Sequence, residues 1–178
     1  MNKYVDIAQS YFKVLFLKWL LLLTCISVYS NSAYAQCNST CETITRYDGA
    51  SIVTCEPLPV AGDNTLEAAI SIASNGVDKF LTLSVIFSND SNSRKIAGNA
   101  QIRLTNNHMY HFTLVNSEMN IIGGRRLAQA VYYIDSFILS DLKEHKIATM
   151  SFRLNDQVRR TYQFDINQDV ISKQLKCM

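Results

Sequence analysis

Three groups of side chains could carry chemistry, and their spacing limits what each can do. His108 and His111 stand three apart where a strand is expected, and residues at that spacing point to opposite faces of a strand. One strand therefore cannot present both imidazoles to one ion, and His145 lies far along the chain, so the sequence predicts no metal site. The run Gly123-Gly124-Arg125-Arg126 is the best anion-binding candidate, because two glycines let backbone amides approach a ligand and two guanidiniums can grip a carboxylate, sulfate or phosphate. It lacks the lysine and hydroxyl spacing of a phosphate loop and precedes a strand rather than opening a helix. Arg159-Arg160 should diverge across a strand in the same way as the histidines.

Tyr132-Tyr133 is the third group. Neighbours on a strand face opposite ways, so one ring is expected in the core and the other at the surface, as an aromatic contact for a sugar or a partner protein. A nucleophile elbow is missing, and no histidine has a readable base and orienting partner. No catalytic residue is assigned and no cofactor is expected. The binding candidates are Arg125, Arg126, Tyr132 and Tyr133.

What precedes this region reads as an address. Lys3, Lys13 and Lys18 are followed by the apolar run WLLLLTCISV, residues 19 to 28, and then by Ala33-Tyr34-Ala35. A basic start, an apolar stretch and an A-x-A site in that order describe a secretory leader, with cleavage expected after Ala35. The wider run from Val14 to Val28, interrupted by Lys18, is about fifteen residues, short of the roughly twenty that span a bilayer. Residues 1–35 are thus expected to leave and 36–178 to form one domain, secreted or held in the periplasm or cell envelope, that meets a membrane only during export.

The leader holds three of the chain's 17 basic and one of its 15 acidic residues, so the remainder carries 14 of each. A neutral mature chain gives no warrant for a nucleic-acid partner. Four cysteines stay behind: Cys37, Cys41, Cys55 and Cys177. In an exported chain an even number reads as disulfides. The segment from Cys41 to Cys55 reads as two short strands around Asp48-Gly49. A three-residue loop with Gly49 in the left-handed region would place Cys41 opposite Cys55 on a closely spaced, non-hydrogen-bonded pair. Cys37 would then bridge to Cys177. A two-residue turn would instead set Cys41 against Glu56 and free either cysteine for Cys177.

Alternation dominates the rest. Leu66, Ala68, Ile70 and Ile72 share one face, Asn75-Gly76 signals a turn, and Leu81, Leu83, Val85 and Phe87 return. The prolines at 57 and 59 suit an extended linker or a sheet edge. Residues 88–99, rich in Ser and Asn, read as a mobile surface loop. A hairpin over 101–115 turns at Asn106-Asn107, and after a loop holding the two glycines, 127–134 is apolar on both faces, as a central strand would be. Ser140 is expected to cap a short helix through Lys146, and Asn167 a second one carrying Ile171 and Leu175. Between these helices Ala148, Met150, Phe152 and Leu154 share one face, and Val158, Arg160, Tyr162, Phe164 and Ile166 another.

Eight to nine strands without a crossover helix predict an all-β fold, an antiparallel β-sandwich with one or two helical turns; a closed barrel is the structural alternative. The run Phe137-Ile-Leu-Ser-Asp-Leu-Lys, the strand from Ile147 and the ending Leu175-Lys-Cys-Met resemble the C-terminal part of small exported bacterial β-domain proteins of unassigned function. The resemblance implies a non-catalytic envelope or secreted module and brings no functional residue with it. The expected role is an exported module that binds a protein or surface glycan or supports an envelope assembly; the alternative is a small secreted hydrolase or a hydrolase inhibitor. Binding is expected through loops 88–99 and 123–126.

Overall fold

Period-two alternation needs a sheet with one side turned away from water, and most of the chain's ten strands do this. A computed structural model describes residues 41–88 and 94–178, all within one compact unit, Asn38–Met178. The expected leader, its cleavage site and Cys37 lie outside the described residues. The strands are β1 (Cys41–Thr45), β2 (Ser51–Cys55), β3 (Leu58–Gly62), β4 (Leu66–Ser74), β5 (Lys79–Phe87), β6 (Ile96–Leu104), β7 (Met109–Ile122), β8 (Arg125–Ile134), β9 (Ile147–Leu154) and β10 (Arg159–Gln163). Two six-residue helices, α1 (Leu139–Glu144) and α2 (Val170–Leu175), complete the fold.

Every pairing is antiparallel, so the fold is all-β as expected. The strands follow one open path, β1-β2-β4-β5-β8-β7-β6-β9-β10, with β3 beside β4. The path bends at β7, the longest strand. Its first residues, Met109–Phe112, pair with β6, and its remainder, from Thr113 on, pairs with β8. Register breaks mark the bend, between Leu114 and Asn116 in β7 and between Ala97 and Gln101 in β6, where Gly98 has φ +71°. Such bulges raise local twist and swing the strand. Ile70, Leu83 and Tyr132 from one half and Ile102, Met150 and Phe152 from the other consequently share one core.

The local signals explain most of these elements. In the β1–β2 hairpin Arg46 N–H donates to Ala50 O (2.8 Å) and Gly49 N–H to Arg46 O (2.9 Å), with Gly49 at φ +80°. This three-residue loop sets Cys41 opposite Cys55, their Cα atoms 3.9 Å apart, and the two are disulfide-bonded. Cys177 is disulfide-bonded too; Cys37, its expected partner, is one of the residues not described. At the β6–β7 turn Asn107 takes φ 69° and donates its N–H to Leu104 O, so an asparagine fills the left-handed position.

Several boundaries differ from the sequence reading. The Ser/Asn-rich segment 88–99 ends earlier, because Ile96 is buried at the start of β6; residues 89–93 lie outside the described ones. The stretch before Gly123 is strand rather than loop. Asn116–Ile122 is in ladder pairing with β8 alone; one side is exposed and the other only half-buried at Ser117 and Met119, so it has no oily face for periodicity to detect. Pro57 directly precedes and Pro59 lies within a real strand, β3, which pairs only with β4 and is bulged between Pro59 and Ala61. Ser140 lies inside α1, whose N-cap position is Ile138. Asn167 precedes the Asp169 cap of α2, and its amide donates to Pro59 O at 2.8 Å.

One polar side chain ties the ends together. The junction between β2 and β3 leaves the Ile72 N–H of β4 without a ladder partner, since β2 pairs at Ala73 and Ser74 and β3 at Ile70 and below. Gln174 of α2, fully buried, accepts from Ile72 N (2.7 Å) and donates to Glu56 O (2.8 Å). Gln174→Leu keeps the volume but orphans a buried donor and a partly buried acceptor. It is expected to lower the unfolding free energy by about 2–4 kcal/mol in urea titration; an unchanged midpoint would show that the gap is bridged by something other than this amide.

Candidate functional site

The Gly123-Gly124 pair makes a two-residue hairpin turn with φ +57° and +77°, the positive values that the mirror-image turn favoured in hairpins requires at both positions. Arg125 and Arg126 therefore lie in β8, cross-strand to Ile122 and Ile121, and not in a loop. They alternate to opposite sides of the sheet, so one small anion does not meet both guanidiniums. Arg125 donates to Glu67 Oε1 at 3.1 Å, an exposed pair of small energetic weight. The side chains that stand out at this hairpin end are apolar: Ile121 is 71% and Ile122 63% exposed. Both lie on the stretch of β7 from which β6 has already diverged.

Tyr132 and Tyr133 part as expected. Tyr132 is fully buried, and its hydroxyl has no hydrogen-bond partner among the described residues; burial pushes its pKa upward. It is a core residue. Tyr133 reaches the surface, donates to Asp78 Oδ1 (3.4 Å) and meets Phe80 edge-on at 6.1 Å. The Asp78 charge is the main reason that its phenol is held above the ordinary tyrosine value. Arg159 and Arg160 also diverge. Arg160 forms a two-point bond to Asp156 (2.8 and 3.1 Å) and draws that carboxyl down to about 2, while Arg159 donates to Gln101 Oε1 at 3.0 Å.

A constellation that spacing did not reveal lies where α1 meets the β6–β7 turn. His108 and His111 separate: His111 lies 3.5 Å from the Gln101 amide, whereas His108 Nδ1 is 2.6 Å from Asp141 Oδ2. Tyr110, one strand step from His108 on the same side, donates its hydroxyl to the same carboxylate oxygen. His145, a helical turn beyond Asp141, approaches its other oxygen at 3.8 Å. In the sequence Asp141 is legible only as an acidic residue in the first turn of a short helix. Its partners come from a hairpin more than thirty residues earlier, a relation that only the fold creates.

The Tyr110 bond foremost, and then that from His108, hold the Asp141 carboxyl below the ordinary aspartate value. The carboxylate that pays for its own desolvation in this way is a latch between helix and hairpin. The geometry also orients an imidazole whose side chain is 61% exposed. Among the described residues no group of three His, Cys, Asp or Glu side chains could hold a metal ion.

Comparison with known proteins adds no family: no family model, no curated protein and no solved structure matches the chain.

Because the folded-state pKa of Asp141 is depressed, the stability it adds is present above the ordinary carboxylate value of 3.8 and is lost as pH falls through the folded value. Asp141→Asn is thus expected to be less stable than the parent at neutral pH, with the gap closing as pH falls below 3.8. Paired urea melts across pH 2–7 measure this. A gap independent of pH would mean that the carboxylate's charge has no part in the latch.

Proposed function

We propose that this protein is an exported, non-catalytic binding module that acts in the periplasm, the cell envelope or the medium, and that it captures a partner protein at the outer end of the β7–β8 hairpin. The observation that carries the reading is the exposure of Ile121 (71%) and Ile122 (63%) beside the two-glycine turn, with Arg125 and Arg126 opposite them. Apolar side chains held out by a well-defined turn give up little entropy on docking, and neighbouring arginines are enriched at protein interfaces. Export is supported by the leader sequence and by the Cys41–Cys55 bridge, since disulfides persist mainly in oxidising compartments. No described helix is long and apolar enough to cross a membrane.

The hydrolase alternative has one geometry in its favour, the Asp141–His108 pair. A nucleophile would have to sit on the same imidazole. Among the described residues the hydroxyl nearest to it in hydrogen-bond terms is that of Tyr110, at 3.5 Å from Nδ1 and already committed to Asp141. The binding reading asks for nothing further of the cluster than that it hold α1 in place.

A photo-crosslinking residue at position 122 is expected to give one discrete adduct in envelope fractions, and the same residue at Tyr47, 98% exposed on the β1–β2 loop, none. Ile121→Ser with Ile122→Ser should weaken capture of that partner about tenfold without moving the thermal midpoint, as truncation of interface anchors does. Equal adducts from positions 122 and 47 would remove the hairpin from the account.

A further inference from the structure

The outward side of the β10-β9-β6-β7 half carries a charge distribution that stability alone does not call for. Ile102, Met150 and Phe152 point inward to the core, so their strand neighbours face water. Register sets Thr161, Ser151, Gln101 and His111 in one row across the four strands. Arg103 lies in the next row beside Thr149, and on the other side Arg159 stands directly opposite Arg153. Neither β6, β9, β10 nor the part of β7 beside them, Met109–Phe112, contains an Asp or Glu. With 14 acidic residues among 36–178 balancing 14 basic ones, this is a segregation of charge and not a consequence of composition.

Two features point to a ligand. Arg153 and Arg159 form a like-charged cross-strand pair, an arrangement that costs stability unless an anion lies between them. Among the described residues the side chains of Arg103 and Arg153 make no hydrogen bond or ion pair, and that of Arg159 is bonded only to the neutral Gln101 amide. The register places Arg103 beside Thr149, four residues along β9 from Arg153, roughly 13 Å at strand rise, so the charges suit several anionic groups on one chain better than one small ion. Between them lies a depression of about 240 Å³ whose lining includes Gln101, Thr149, Ser151 and Thr161, groups that donate to and accept from hydroxyls. Met109 is the large apolar side chain on this face, and no aromatic ring joins it apart from the His111 imidazole; the apolar and aromatic anchors of a protein interface are lacking.

We infer that this face binds an anionic polysaccharide, with Arg103, Arg153 and Arg159 pairing to its charged groups and the Thr, Ser and Gln side chains to its hydroxyls. The site is separate from the hairpin end, and the module could hold a glycan and a protein partner at once.

Affinity electrophoresis of the full-length protein through gels containing polygalacturonate, neutral dextran or polyglutamate tests this. Retardation is expected in polygalacturonate, none in dextran, and clearly less in polyglutamate of matched charge concentration. The combined variant Arg103→Gln, Arg153→Gln, Arg159→Gln should weaken retention about tenfold, the scale of three exposed ion pairs. Thr149→Val with Thr161→Val should weaken it several-fold, and Ile121→Ser with Ile122→Ser not at all, which separates this site from the hairpin. Arg153→Gln alone relieves the like-charged pair, so it should keep or raise the thermal midpoint while reducing retention. Lack of retention by polygalacturonate, unchanged retention of the triple variant, or equal retention by polyglutamate would overturn the inference.

Discussion

A strand whose alternate side chains are apolar cannot leave them in water, and an open sheet of ten strands, most of them of this kind, must find a cover for that side. This chain covers the sheet with itself. The bulges in β6 and β7 turn one half toward the other; the single 3-10 turn Ser136–Ile138 adds Ile138 to the common core, and the two short helices add Leu142, Val170, Ile171 and Leu175. Once the sheet bends at β7, the rest is constrained: β4, β5 and β8 become central and are buried on half or more of their positions, while the outer sides of β9, β10 and β6 stay wet and polar. Gln174 sits where this scheme leaves a backbone gap, and an amide there satisfies what an apolar residue could not.

What was legible in the sequence was what a single strand or turn decides by itself. The oily face of β4 needed only the alternation from Leu66 to Ile72, and the Cys41–Cys55 bridge needed only a turn that Gly49 could enter. What was hidden depends on neighbours distant in the chain. The second half of β7 has one pairing partner and no fully buried side chain, so its largely polar run from Asn116 to Asn120 looks like loop. Asp141 meets His108 and Tyr110 only because α1 docks on the β6–β7 turn. The basic face is a property of register, since Arg103, Arg153 and Arg159 are scattered through three strands.

Function follows the same division. Loops were the expected recognition elements, yet Arg125 and Arg126 lie within a strand and on opposite sides of it, and the apolar tip beside them owes its exposure to the departure of β6. A sheet that bends has two kinds of surface to offer: an edge where a strand outruns its neighbour, and a broad outer side where rows of short polar residues and arginines face solvent. The proposed protein contact uses the first and the inferred glycan contact the second. Neither asks the core to change, and both sit on elements whose backbone hydrogen bonds are made within the sheet.

The central claim is that the sheet is locked by oxidised cysteines in a compartment reached by export. Intact mass of the protein recovered from the periplasm or medium, taken before and after reduction and alkylation, tests it most directly. The account expects a chain that begins at Gln36 and takes up alkyl groups on Cys37, Cys41, Cys55 and Cys177 only after reduction, with Cys41 linked to Cys55 in the peptide map. A full-length product inside the cell that alkylates on these cysteines without reduction would contradict it.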